Sequence, residues 1–111
     1  MTLDRTKLQT PFYANIFSYV PSQTREGYEA ADEATLREVR QIPGFLGYEV
    51  TGTDTRRIFI SYWRDMDAID AWRKNRTHQN AKSHGKEWYS AYHSMLVKVE
   101  SHSMWQPELL I

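Results

Sequence analysis

A chain of 111 residues, with fourteen basic and fourteen acidic side chains and no cysteine, makes one domain of zero formal net charge. Balanced charge gives no general attraction to nucleic acid or to an anionic membrane, so neither is an expected partner. The missing cysteines remove disulfides, thiolate catalysis and thiolate metal sites; they suit a reducing compartment, and a cytoplasmic setting is expected.

The first ten residues, MTLDRTKLQT, are polar and lack the apolar stretch of a signal peptide, so residues 1–10 read as a flexible, solvated arm. No apolar run approaches the length needed to cross a bilayer. From 11 to 20 the run PFYANIFSYV predicts a strand, being rich in aromatic and β-branched residues. One face carries Phe12, Ala14, Ile16, Ser18 and Val20, the other Tyr13, Asn15, Phe17 and Tyr19. Both are largely apolar, which predicts cover on both sides. Asn15 is then a polar group in a nearly closed place.

Ser22 and Thr24 are candidate N-caps for an amphipathic helix over about 26–41, with Tyr28, Ala31, Thr35, Val39 and Ile42 on its inner stripe. Pro43-Gly44 ends it. Strands follow at 45–51 and 56–63, joined by a polar turn, so the two form a hairpin. Asp65 is placed to cap a helix from Met66 that turns Met66, Ile69 and Trp72 inward. The pattern weakens at Asn75-Arg76, and Thr77 is the expected cap of a second short piece carrying His78, Ala81 or Lys82, Gly85 and Tyr89 along one side. A fourth strand is predicted over 91–100. The tail, residues 101–111, holds Trp105, Leu109, Leu110 and Ile111 and is expected to dock on a dimer.

The order β-α-β-β-α-β, with the second helix broken in two, is the ferredoxin-like arrangement: an α+β domain over residues 11–100, with helices on one face of a four-stranded antiparallel sheet. Strands one and three carry large apolar side chains on both faces. Each gains about 1.5–3 kcal/mol on full burial. The simplest way to cover the helix-free face is a second copy packed sheet to sheet, a homodimer of the dimeric α+β barrel kind.

The strand FYANIF, the join PGFLGYEV, the run ISYWRDMDAIDAW and the later HGKEWY together resemble the antibiotic biosynthesis monooxygenase family. The resemblance covers about residues 11–100. It implies a homodimer with one site per subunit, between sheet and helices. It also implies one of two chemistries. Some members oxidise polycyclic aromatic substrates with dioxygen and no cofactor. Others bind and degrade heme, using an Asn on the first strand, a Trp on the second helix and a His ten residues after that Trp. Asn15 and Trp72 match the first two positions, and Lys82 occupies the third.

The candidate catalytic residues are therefore Asn15, Trp72 and His78. An amide at Asn15 can hold an oxyanion or orient dioxygen, or it can bond neighbouring backbone as a core residue. Trp72 can wall a pocket and offer its indole N–H, or fill the space between helix and sheet. His78 can serve as a general base, or cap the short helix. Phe17, Tyr62, His84 and Trp88 are the expected substrate contacts. The spacing of His and carboxylates offers no metal site, and no glycine-rich phosphate loop is present. Three readings follow: a cofactor-independent monooxygenase acting on a small hydrophobic or aromatic molecule, a heme-binding or heme-degrading protein, and a non-enzymatic dimeric binding barrel.

Overall fold

The computed structural model describes residues 3–105 and 107. Its four strands are β1 (Phe12–Pro21), β2 (Phe45–Gly52), β3 (Arg57–Trp63) and β4 (Tyr89–Val99). They form one antiparallel sheet in the order β2-β3-β1-β4. Between them lie α1 (Tyr28–Val39), then α2 (Met66–Arg73), α3 (Arg76–Lys82) and α4 (Gly85–Trp88). This is the expected α+β ferredoxin-like arrangement. The second helical region, however, is divided into three pieces, where the sequence predicts two.

The pairing register sets the two faces. Asn15 lies opposite Ser61 across β1 and β3, and Phe17 lies opposite Phe59 and Ser94. Directly paired residues share a face. Tyr13, Asn15, Phe17 and Tyr19 therefore share the helix side with Phe59, Ser61 and Trp63. The main core cluster sits at one end of that layer. There Val39 of α1 and Ala68, Ile69 and Trp72 of α2 close around Trp63, which keeps 2% of its surface exposed. Burial of such side chains contributes about 1.5–3 kcal/mol each. At the other end Tyr19 and Trp88 are buried, and the Tyr19 ring packs edge-on against Tyr89 at 4.9 Å.

The helix starts explain how this layer is placed. Asp65 accepts from the Ala68 amide at 2.9 Å and caps α2, as the sequence predicts. The other two caps differ from expectation. α1 begins at Gly27, in the left-handed region at φ 82°, and neither Ser22 nor Thr24 caps it. α3 is capped by Asn75, whose Oδ1 accepts from the His78 amide at 3.0 Å, not by Thr77. The join before β2 needs glycine. Gly44 has φ +94°, its carbonyl accepts from the Arg64 amide, and a Cβ there would lie 2.7 Å from that of Ala68.

The helix-free face is not bare. A 3-10 turn at Arg5–Lys7 lays the N-terminal arm along it. Leu8 is buried, and Arg5 pairs with Glu49 of β2 at 2.6 Å. So the arm, expected to be flexible and solvated, is anchored at Leu8 and through Arg5, while Asp4 to Lys7, Gln9 and Thr10 stay exposed. Apolar packing at Leu8 and the ion pair hold it, features that its polar composition hides. The tail returns to the same face, where His102 meets Phe12 edge-on at 5.2 Å. Trp105 stands 73% exposed, while Leu109, Leu110 and Ile111 lie outside the described residues. Among the described residues no helix is long and apolar enough to cross a membrane.

Candidate functional site

Between the two packed ends of the helix layer lies a cavity of about 480 Å³, in the range of small-molecule sites. Its floor is the sheet, through Asn15, Phe17, Phe59, Ser61 and Ser94. Its roof is α1, α2 and α3, through Thr35, Leu36, Ile69, Trp72, His78 and Lys82. The walls are mostly apolar or aromatic, so the polar groups among them stand out.

Asn15 is one of these. Its Oδ1 accepts a long hydrogen bond from the Ser94 hydroxyl at 3.4 Å. Its amide nitrogen donates to no group among the described residues. Next to it on β3, Ser61 is buried, and its Oγ accepts from the Trp63 indole N–H at 2.9 Å. The Trp88 indole is likewise engaged, donating to the Glu26 carbonyl at 3.0 Å. The Trp72 indole N–H has no acceptor among the described residues. Trp72 is at once a core residue and a wall of the cavity.

His78 lies flat on Trp72, ring centroids 4.6 Å apart and planes 16° from parallel. Its Nδ1 is 3.2 Å from the Trp72 carbonyl oxygen. A carbonyl only accepts, so Nδ1 carries the proton and Nε2 holds the lone pair. Burial pushes the His78 pKa down. The bond to the Trp72 carbonyl acts against that shift, and the nearby Lys82 charge adds to it. His78 is thus a neutral imidazole at neutral pH, with one nitrogen anchored and the other able to take a proton.

The opposite end of the cavity is phenolic. Burial, with lesser contributions from Tyr89 and other neighbours, pushes the Tyr28 pKa far up, and burial pushes Tyr89 up to about 12. Both remain neutral phenols at any physiological pH. Asp32 also lines the cavity, and its carboxyl is raised by partial burial first and by Glu33 second, with Arg57 opposing.

Five of the seven sequence-predicted site residues line this one cavity: Asn15, Phe17, Trp72, His78 and Trp88. Two do not. Tyr62 falls on the opposite face of the sheet, where its hydroxyl donates to Glu49 beside Arg5 and its ring faces Phe12. His84 packs on the outside, stacked on Trp88 at 4.7 Å and 3.2 Å from the Glu87 carboxylate. The break between α3 and α4 turns it out of line with His78. Ser61, Tyr28 and Asp32 line the cavity and are absent from the sequence-based set. Of these, Ser61 left a signal, a lone hydroxyl inside the apolar run of β3. Among the described residues no three His, Cys, Asp or Glu side chains are grouped to hold a metal ion. Lys82 lines the roof at the position where the heme-degrading pattern has histidine. An ammonium has no lone pair for iron, so these three positions supply no histidine ligand.

An α+β ferredoxin-like domain with a cavity between sheet and helices is the class that this geometry defines. The Antibiotic biosynthesis monooxygenase family matches residues 11–83. The chain is also 41% identical, over 88% of its length and 88% of the relative's, to the uncharacterized protein YqjZ of Bacillus subtilis. It belongs to the antibiotic biosynthesis monooxygenase family. Solved structures with the same fold include SnoaB, a cofactor-independent oxygenase from Streptomyces nogalater. That match has TM-score 0.68 and 13% identity, covering 88% of this chain and 99% of that one. Protein SO0527 from Shewanella oneidensis matches with TM-score 0.68 and 17% identity, covering 84% and 95%.

Proposed function

We propose that this protein is a cofactor-independent monooxygenase that oxidises a small aromatic or quinol-like substrate with dioxygen, and that it works as a homodimer in the cytoplasm. The observation that carries the reading is the meeting of Asn15, Trp72 and His78 in one largely apolar cavity. Family membership supports the oxygenase class, and the fold shared with SnoaB agrees with chemistry that needs no cofactor.

The chemistry follows from the groups present. Nε2 of His78 takes a proton from an acidic ring carbon or phenol of the substrate. The Asn15 amide stabilises the oxygen anion that results. Apolar walls keep water from competing with dioxygen. The anion gives one electron to dioxygen, superoxide and substrate radical combine at carbon to a peroxide anion, and the proton held on His78 Nε2 returns to it to give a hydroperoxide. Loss of water leaves a carbonyl, so a ring CH2 and one dioxygen become C=O and one water.

The homodimer rests on the helix-free face. Ile16, Ile60, Val97 and Val99 form an apolar groove there, and Met95 stands 40% exposed on β4.

The test is oxygen consumption by metal-stripped protein over a panel of naphthols, quinols and anthrones. Uptake that depends on one of them and falls at least about a hundredfold in Asn15→Ala is expected. No uptake across the panel would sink the reading.

A further inference from the structure

Asn15 and Ser61 form a cross-strand pair on the cavity floor, directly opposite each other in the β1–β3 register. Such pairs place their Cβ atoms about 4.5–5.5 Å apart. Each accepts one hydrogen bond from a second residue, which orients it. The Ser94 hydroxyl donates to Oδ1 of Asn15, which turns the amide nitrogen the other way. The Trp63 indole donates to Oγ of Ser61 at 2.9 Å, which leaves the serine O–H to be given elsewhere. Trp63 is itself locked in the core, edge-on to Phe45 at 5.1 Å. Neither the Asn15 amide nitrogen nor the Ser61 O–H finds an acceptor among the described residues, although Ser61 is buried. A buried donor is nearly always matched; Ser61 is buried and Asn15 half-buried. Two unmatched donors, paired across the strands and lining one cavity, have the form of a site for a single oxygen anion.

We infer that Ser61 is the second donor of an anion-binding pair with Asn15, and that the pair selects ligands presenting a phenolate or enolate oxygen to the sheet. The inference deepens the proposed oxygenase reading and rests on the cavity being its ligand site. It assigns to Ser61 direct contact with the substrate oxygen, and to Trp63 and Ser94 the work of positioning the two donors. Neutral rings lacking that oxygen fit the same walls but leave both donors unmatched, which costs them affinity.

The experiment compares 4-nitrophenol, titrated above its pKa, with 4-nitroanisole, which has nearly the same shape and cannot ionise. Binding is measured by calorimetry and by the nitrophenolate absorption band in the wild type, Ser61→Ala, Ser61→Thr and Asn15→Ala. The wild type should bind the phenolate at least about tenfold more tightly than the anisole. Ser61→Ala should lose about tenfold in phenolate affinity and stay within about twofold for the anisole, while Ser61→Thr, which keeps the hydroxyl, recovers most of the loss. Because Ser61→Ala also strips Trp63 of its acceptor, unfolding midpoints are recorded to show that each variant is folded at the titration temperature. Equal losses for both probes, or none for either, overturn the role of Ser61. A phenolate preference that survives Ser61→Ala but vanishes in Asn15→Ala removes Ser61 alone and leaves the oxygenase reading standing. A wild type with no phenolate preference removes both.

Discussion

The His78 imidazole is held by Trp72 twice, face to face at 4.6 Å and through Nδ1 at 3.2 Å from the carbonyl oxygen. The two contacts fix the plane of the ring and its tautomer together, and leave Nε2 as its basic nitrogen. If that nitrogen takes the substrate proton, His78→Gln should lower oxygen uptake by about 10²–10⁴. The wild-type rate should fall on the acid side with a midpoint below 6.5, the ordinary imidazole value, because burial lowers this pKa. Steady-state rates between pH 5 and 8 check both points. A midpoint at or above 6.5 would contradict the assignment.

The same shift has a consequence for stability. In the unfolded chain His78 binds a proton as pH drops through about 6.5, while in the folded protein it resists until lower pH. Between those values the unfolded state holds more protons, so acidification favours unfolding. The contribution of neutral His78 is complete above 6.5 and is lost as pH falls toward the folded pKa. Urea unfolding at pH 7.5, 6.5 and 5.5 should show a decline that is shallower in His78→Gln. Comparing variant with wild type cancels the carboxylates, including Asp32, whose raised pKa acts in the opposite direction.

Asn75 caps α3 by accepting from the amide of His78 itself. Asn75→Ala should cost about 1 kcal/mol of stability, the usual loss for such a cap. It should also reduce activity, because the first turn that carries the imidazole loosens. Asn75→Asp, which keeps the acceptor, should restore both. Denaturation midpoints and oxygen uptake on the three proteins decide it.

At Gly44 the join before β2 runs so near α2 that an added Cβ would lie 2.7 Å from the Ala68 Cβ. Alanine there would be strained by the positive φ and would press on the Ala68 methyl group. Gly44→Ala should destabilise the fold by about 2 kcal/mol or more, read as a lower melting temperature. An unchanged melting temperature would mean that α2 can slide away at little cost.

In sedimentation at micromolar concentration the wild type should run as a dimer, and Ile16→Asp, a charge placed in the groove of the helix-free face, should run as a monomer. Retention of the dimer in Ile16→Asp would place the contact elsewhere.

Strand and helix order were legible because apolar periodicity and a few turn residues determine them. Asp65 before the Met66-Ile69-Trp72 stripe named its own cap. Tyr62 shows where reading stops. Alternation puts it opposite Ser61 and Trp63, but only the pairing of Asn15 with Ser61 says which of the two sets faces the cavity, and register is a property of two strands together. His84 was misplaced for a related reason, since a helix that restarts after Ser83 does not keep its angular phase. The cap at Gly27 has no side chain to betray it. The docked arm depends on Leu8 and on the Arg5–Glu49 pair, 44 residues apart in the chain, which no local pattern can reveal.

Beside α1, the helical cover of the cavity between β3 and β4 is three short helices, α2, α3 and α4, rather than one rod. The regular backbone ladder already stops at Lys74-Asn75 and again at Ser83-His84. Lifting α3 alone therefore breaks seven residues' worth of helix and leaves the four-stranded floor intact. Amide hydrogens of α3 should exchange with solvent sooner than those of β1, and that difference in breathing gives a ligand a doorway that does not require the domain to unfold.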